Sequence, residues 1–280
     1  MSDAWLDRLS VNQKTINSCT LPEAVRGCAA AGIPAIGLWR EPVHQTGLRT
    51  TAALVRAAGL RVSSLCRGGF VTVAEDTAWW ASIDDNRRAI DEAAELGAPC
   101  LVLVVGGLPS GSRDLRAARA RVADALAELA PYAAQRGVRL ALEPMHPMYC
   151  ADRGVLSTLA QAVELAQEFP PDLVGVVVDT FHVWWDPEVD TQIARAGPRI
   201  ASFQVSDWIT PLPADVLLGR GLPGDGHIDF RALHAAVDAA GYAGDVEVEV
   251  FNAEVWREEP HTVLRRVAER YRTAVLGGPA

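Results

Sequence analysis

The sequence predicts an α/β protein, a closed (β/α)8 barrel of eight parallel strands, and three observations predict it. Short β-branched runs alternate with longer alanine-rich stretches of helical period, as repeated β-α units around a parallel sheet require. Eight runs of each kind can be placed, and an even count of eight favours closure of the sheet. The length, 280 residues, suits one such barrel. An open doubly wound sheet shows the same alternation but carries a glycine-rich GxGxxG turn after its first strand. Lys14-Thr15-Ile16-Asn17 stands there instead.

Taken in order, strands are expected over 9–14, 35–39, 61–66, 100–105, 139–143, 174–179, 199–205 and 246–250. Helices are expected over 22–31, 48–58, 84–96, 114–136, 156–168, 187–195, 230–240 and 260–275. Four of them end at a glycine before the next strand (Gly32, Gly59, Gly97, Gly137), as left-handed caps do. The longest irregular stretch, 208–226, separates the seventh strand from its helix and contains Gly219, Gly221, Gly224 and Gly226. In a barrel such a segment overlies the C-terminal face, so it reads as a lid. No proline-rich or charged linker divides the chain, and residues 1–280 read as a single domain.

Composition narrows the function classes. Hydrophobic residues make up 49% and charged residues 22%, enough to bury a large core. The net charge of −9 argues against nucleic acid, whose binding needs a basic face. No stretch approaches a membrane span and no amino-terminal apolar run resembles a signal peptide, so a cytoplasmic location is expected. The five cysteines (Cys19, Cys28, Cys66, Cys100, Cys150) are odd in number and lack CxxC spacing, and read as reduced packing residues.

A strand alternates its side chains between two faces. Glu143 in RLALEP, Asp179 in VGVVVDTFH, Gln204 in RIASFQVSD and Glu249 in DVEVEVF each fall near a strand's C-terminal end, opposite the bulkier apolar row. They are expected at one height in the barrel mouth, where polar residues are usually catalytic. Three carboxylates converging without a basic partner repel one another unless they hold a cation. Glu143, Asp179, Gln204 and Glu249 are therefore the expected metal ligands. The alternatives are glutamates salt-bridged for structure and Gln204 as a buried hydrogen-bond partner. These oxygen donors suit Mn²⁺ or Mg²⁺, with Co²⁺ and Zn²⁺ also admissible. Glu247, one layer below Glu249, reads as a buried structural acid paired with Arg139.

Around this centre other residues carry two readings each. His182, three residues after Asp179, either orients a substrate hydroxyl and shuttles a proton or simply bonds a carboxylate. His146, three after Glu143, is a general base or substrate contact, or packs its loop. His227, where the long loop returns, fits a lid or structural role better than metal binding. Arg40 and Arg67 follow the second and third strands, so both are expected at the mouth, holding a substrate oxygen or phosphate or neutralising the acids. Lys14 reads as a rim charge. Trp184 and Trp208, with other aromatics near strand ends, either stack on a sugar or pack between helices.

The chain resembles the sugar phosphate isomerase/epimerase superfamily, the xylose isomerase-like TIM barrels, over nearly its whole length. LALEP, VDTFH, FQVSD and EVEVF match in order the strand ends that carry that family's metal ligands. The resemblance implies that Glu143, Asp179 and Glu249 are ligands, that the two glutamates transfer protons, and that His182 contacts substrate. Gln204 departs from it, because many members have histidine there. Endonuclease IV-type members need more histidines than the six present. The implied activity is a divalent-metal-dependent sugar isomerase or epimerase acting on a ketose or inosose, through a metal-stabilised enediolate with Glu143 and Glu249 as acid and base. No glycine-rich phosphate cradle stands out, which favours an unphosphorylated sugar. The alternatives are a 3-keto-glycoside lyase sharing the first step, with His146 as an added acid or base and a small partner subunit, and a non-catalytic sugar-binding barrel. The partner expected in each case is a small sugar or polyol ketone, without nucleic acid or membrane, and with a homo-oligomer possible.

Overall fold

The structure, a computed structural model, describes residues 4–279. In chain order the strands are β1 (Leu9–Asn12), β2 (Ala35–Trp39), β3 (Arg61–Gly69), β4 (Cys100–Val104), β5 (Arg139–Leu142), β6 (Val174–Asp179), β7 (Ile200–Val205), β8 (Asp207–Trp208), β9 (Arg220–Gly221) and β10 (Val246–Val248). Strands β1–β7 and β10 form one closed parallel barrel, with β10 between β7 and β1. The barrel expectation is met. Strands β8 and β9 make a separate antiparallel hairpin inside the stretch expected to be irregular.

Parallel strands covered on both faces read as unbroken apolar runs, and all five residues of β4, CLVLV, are buried. The outward row (Leu101, Leu103, Leu140, Leu142, Val176, Val178) joins the large core beneath the helices. The inward row (Cys66, Cys100, Val102, Ala141, Val177) forms a small apolar plug inside the barrel.

The helices are α1 (Leu21–Ala30), α2 (Arg40–Thr46), α3 (Leu48–Ala57), α4 (Asp76–Leu96), α5 (Leu115–Arg136), α6 (Leu159–Ala166), α7 (Thr180–Val183), α8 (Val189–Ala196), α9 (Phe230–Ala239) and α10 (Pro260–Arg270). Thr20 and Glu23 form a capping box at the start of α1. Gly97 and Gly137 cap α4 and α5 at φ of 67° and 66°, as expected. Helix α4 starts eight residues earlier than expected, because the Glu75 carboxylate accepts from the Thr77 and Ala78 amides and Trp79 extends its buried face. Helices α2 and α7 were not expected, and both begin directly at a strand end. No helix of the described residues is long and apolar enough to cross a membrane.

Below the mouth lies a polar layer around Glu247, which is fully buried. Its carboxylate accepts from Asn12 Nδ2 (2.7 Å), Ser63 Oγ (2.6 Å), Ser64 Oγ (2.8 Å) and Gln204 Nε2 (3.1 Å). Gly37 makes room for it, since a Cβ there would stand 2.6 Å from the carboxylate. The expected pairing with Arg139 is corrected: that guanidinium donates to the carbonyls of Pro198 and Ile200 instead.

Candidate metal and active site

Glu143 lies immediately after β5, Asp179 ends β6, Gln204 sits in β7 and Glu249 follows β10. All four are buried. Register pairs Asp179 with Gln204, and Gln204 with Glu247, so Glu249 stands one pleat above its neighbours rather than level with them. Donor atoms of Glu143, Asp179 and His182 lie within 4.8 Å of one another, as do those of Cys66, Glu247 and Glu249.

The acids do have a basic partner, which the strand pattern gave no sign of. Arg220, on β9 of the hairpin, is buried among them. Its Nη1 donates to Asp179 Oδ2 (2.9 Å) and Glu249 Oε2 (3.0 Å). The hairpin that delivers it is pinned by the buried Asp207, whose carboxylate accepts from the amides of Trp208, Gly224, Gly226 and Ile228. Asn252 Nδ2 holds the Arg220 carbonyl at 2.9 Å. The base of the expected lid is therefore fixed.

One guanidinium cannot neutralise three ionised carboxylates, and burial with mutual repulsion favours their protonated forms. Burial, and then repulsion from Asp179, push the Glu143 carboxyl up to about 8. Burial likewise raises Asp179 and lifts Glu249 well above the carboxylate range, against the opposing pull of Arg220. No described residue donates a hydrogen bond to Glu143. The same charge deficit is what a divalent cation would fill.

Gln204 supplies a further donor. Glu247 accepts only, so the amide nitrogen of Gln204 must face it. That leaves Gln204 Oε1 buried with no hydrogen-bond partner, an acceptor that costs free energy until a donor or cation meets it. Three carboxylates and one orphaned amide oxygen are hard donors that fit a divalent cation. Glu143, Asp179, Gln204 and Glu249 can hold it, sharing with Arg220 or displacing it from the two oxygens it occupies.

His182 is buried, and its Nδ1 accepts the His146 backbone amide at 3.1 Å. Its proton therefore sits on Nε2, which lies 3.9 Å from Glu143 and 3.7 Å from Asp179. Burial, with the Arg220 charge, holds its pKa well below the usual histidine value. Arg220 Nη2 stands 3.0 Å from that nitrogen. Both are N–H donors in that tautomer, so the contact is unfavourable unless one of the two side chains moves.

The remaining expected site residues are dispersed. His146 Nδ1 accepts the Met148 amide, and its ring packs 5.0 Å from Trp208 and 5.5 Å from Trp185. Trp208 stacks on Phe181 at 4.9 Å and lies 5.7 Å from Trp184, a wall behind the site. His227 is exposed and meets Thr210 Oγ1 at 2.8 Å, in a loop role. Arg40 is corrected: it opens α2 and turns into the helical layer, paired with Asp85 and Glu92, so it neutralises none of the mouth acids. Arg67 does reach the mouth, where it lines a cavity of about 170 Å³ with Glu143, Glu249 and Arg220.

The comparisons with known proteins bear on the family and the fold. Residues 25–274 match the xylose isomerase-like TIM barrel family. The chain belongs to that family. Over 245 residues it is 30% identical to the 3-dehydroshikimate dehydratase of Pseudomonas aeruginosa, covering 84% of this chain and 37% of that protein. It is also 30% identical to the L-ribulose 3-epimerase of Mesorhizobium japonicum (47% of this chain, 40% of that one) and to the inosose isomerase of Bacillus subtilis (48% of each). The chain thus spans less than half the length of these curated relatives, all of which are enzymes. Among solved structures, a protein from Sinorhizobium meliloti 1021 superposes with a TM-score of 0.94 at 46% identity, covering 96% of this chain and 98% of its own. The IOLI protein with a bound zinc atom superposes with a TM-score of 0.84 at 21% identity, covering 98% of this chain and 99% of its own, and shows the shared fold.

Proposed function

We propose that this protein removes the proton α to the carbonyl of a small polyhydroxy ketone, as a divalent-metal-dependent isomerase or epimerase of sugar or inosose type. The observation that carries this reading is three buried carboxyl groups served by one guanidinium, beside the orphaned Gln204 oxygen. When bound, Mn²⁺ or a similar hard cation supplies Lewis acidity toward the carbonyl oxygen. The zinc named for the IOLI protein and the sugar and polyol relatives support that chemistry.

Glu143 takes the α proton. No donor among the described residues ties up its carboxylate, and a bound cation would favour its ionised, proton-accepting form. Glu249 returns a proton, to the opposite face of the same carbon for epimerisation or to the neighbouring carbon for isomerisation. His182 directs its Nε2 proton toward the same space and holds a substrate hydroxyl or carbonyl oxygen. Arg220 offers a guanidinium edge to the negative charge that develops as the proton leaves. The aromatic rings of Trp39 and Phe251, 5.7 Å apart, wall the cavity against water.

A second reading is elimination, and the dehydratase match favours it because it runs along 84% of the chain. The first step is the same. The leaving hydroxyl then departs as water with a proton carried by Glu249, while the neutral His182 hydrogen-bonds to it and His146, its ring packed among tryptophans, takes no part.

Proton exchange in D₂O tests both. Manganese-loaded protein is mixed with ketohexoses, pentuloses, an inosose and cyclic β-hydroxy ketones, and C–H loss is followed by NMR. Exchange with a new epimer or aldose supports isomerisation; exchange with loss of water supports elimination. Glu143→Gln is expected to lower the exchange rate about 10²–10⁴-fold. An undiminished rate in that variant refutes the assignment of the base.

A further inference from the structure

We propose that the substrate is an anion, and that Arg67 and Arg153 bind its carboxylate or phosphate group in the cavity that Glu143 and Glu249 also line. This deepens the proposed reaction, on which it rests, by naming the charge of its substrate.

The cavity lining carries both signs of charge. Glu143 and Glu249 face Arg220, which pairs with Glu249. Lys14, Arg67 and Arg153 also line it, and Arg67 is near enough to Glu143 for their charges to act on each other. None of the three lies within 4 Å of a described carboxylate from elsewhere in the fold, unlike Arg40 and Arg220. Among the described residues no carboxylate lies within the 4 Å of an ion pair to Arg67, and its guanidinium makes no hydrogen bond. Its close contact is the Phe70 ring, 4.2 Å away. Arg153 reaches only the adjacent Asp152, at 3.6 Å. Lys14 Nζ has Asn17 Oδ1 at 3.3 Å and the Trp39 ring at 5.0 Å.

A guanidinium carries five N–H donors and no acceptor. Arg67 is only partly buried and the Arg153 side chain is 36% exposed, so water meets their donors, but the second guanidinium adds repulsion that an anion between them would relieve. Burial pulls the Arg67 pKa below the usual arginine value against the attraction of Glu41 and Glu143, and the nearby charge of Arg153 adds to the lowering. Arg40 shows what this chain does with a half-buried arginine that serves structure: it receives Asp85 and Glu92. In a protein of net charge −9, three cations lining one cavity, of which Arg67 has no ion-pair or hydrogen-bond partner among the described residues, run against the overall balance. Such a cluster draws anions into the cavity, and the guanidinium fork fits a carboxylate or phosphate through paired hydrogen bonds. The space, about 170 Å³, is at the small end for a ligand site and limits the anion to a small substrate.

Calorimetric titration of the metal-free full chain tests this, with inorganic phosphate and tartrate as probes, so that neither is drawn to a bound cation. At least one probe is expected to saturate. Arg67→Gln and Arg153→Gln are each expected to weaken it at least tenfold, and Arg67→Lys to recover part of the loss. Arg116→Gln, on the exposed face of α5, is expected to match the unsubstituted chain. Tighter phosphate binding assigns a phosphorylated substrate, and tighter tartrate binding a carboxylate. Binding of neither probe, or equal affinity in both glutamine variants, overturns the subsite. The same titration on Glu143→Gln separates this idea from the reaction. Anion binding without proton exchange on any ketone removes the reaction and keeps the subsite, whereas exchange on neutral ketoses without anion binding does the reverse.

Discussion

Glu247 and Glu249 stand two residues apart on one run of chain, both buried inside the barrel, yet their surroundings are opposite. Glu247 accepts from four side chains and is fully hydrogen-bonded. Glu249 shares one guanidinium with Asp179, and its pKa is driven up by burial and by the other acids. A buried carboxylate with all its donors present belongs to the scaffold. One that lacks them is held ready for something the chain does not itself provide. The two layers are joined by Gln204, whose nitrogen serves the satisfied layer while its oxygen faces no partner.

The sharpest way to break this comparison is to make the same substitution in both layers. Glu249→Gln is expected to lower turnover about 10²–10⁴-fold while leaving urea unfolding nearly unchanged, because the amide is neutral like the protonated acid and keeps an oxygen for Arg220. Glu247→Gln brings an amide NH₂ against groups that only donate to it now. It is expected to cost about 2–4 kcal/mol in the same unfolding experiment, with a smaller loss of turnover. Equal destabilisation by the two would erase the distinction between the layers.

The pH dependence of stability sharpens it further. For Glu143 the folded pKa, about 8, lies above the model-peptide value of 4.5. The folded metal-free protein then binds a proton that the unfolded chain has lost. Stability from this group is complete below the unfolded pKa and is lost as pH rises through 8, at about 1.4 kcal/mol per pH unit for one proton. Asp179 and Glu249 are shifted in the same direction. His182, held neutral by burial, contributes the opposite slope only at lower pH. Urea unfolding between pH 7 and 8.5 therefore isolates the acids. A falling stability is expected without metal, and a flatter one with saturating Mn²⁺, which takes the place of the protons. A flat profile in metal-free protein would mean that the mouth acids are already neutralised.

Much of the barrel was legible because parallel strands buried on both faces leave apolar runs such as CLVLV, and two-residue alternation locates an inward acid at a strand's end. That reasoning found Glu143, Asp179, Gln204 and Glu249. It could not find Arg220, which is 41 residues from Asp179 and arrives by a hairpin whose path depends on Asp207 collecting amides from a later loop. The one local sign was an arginine set among glycines in GRGLPGDG. Arg153 was hidden similarly, in a loop with no periodicity to orient it. Arg40 misled in the other direction. It follows β2 directly, yet α2 begins at that residue and turns it outward.

Arg40 offers the smallest test, and the cleanest control for the principle that satisfied charges serve structure. Its guanidinium meets Asp85 at 2.9 Å and Glu92 at 2.7 Å, linking α2 to α4. His44 also holds Glu92, at 2.9 Å, so the acid keeps one partner when the arginine is removed. The Asp85 carboxyl, which its hydrogen bond to Arg40 holds below the usual range, is partly solvated and loses only a screened interaction. Arg40→Ala is therefore expected to cost about 1 kcal/mol in urea unfolding. Turnover should be unchanged, because no part of this network reaches the mouth. A fall in kcat with stability preserved would place Arg40 in the chemistry after all, and would show that a saturated charge can be as functional as a deprived one.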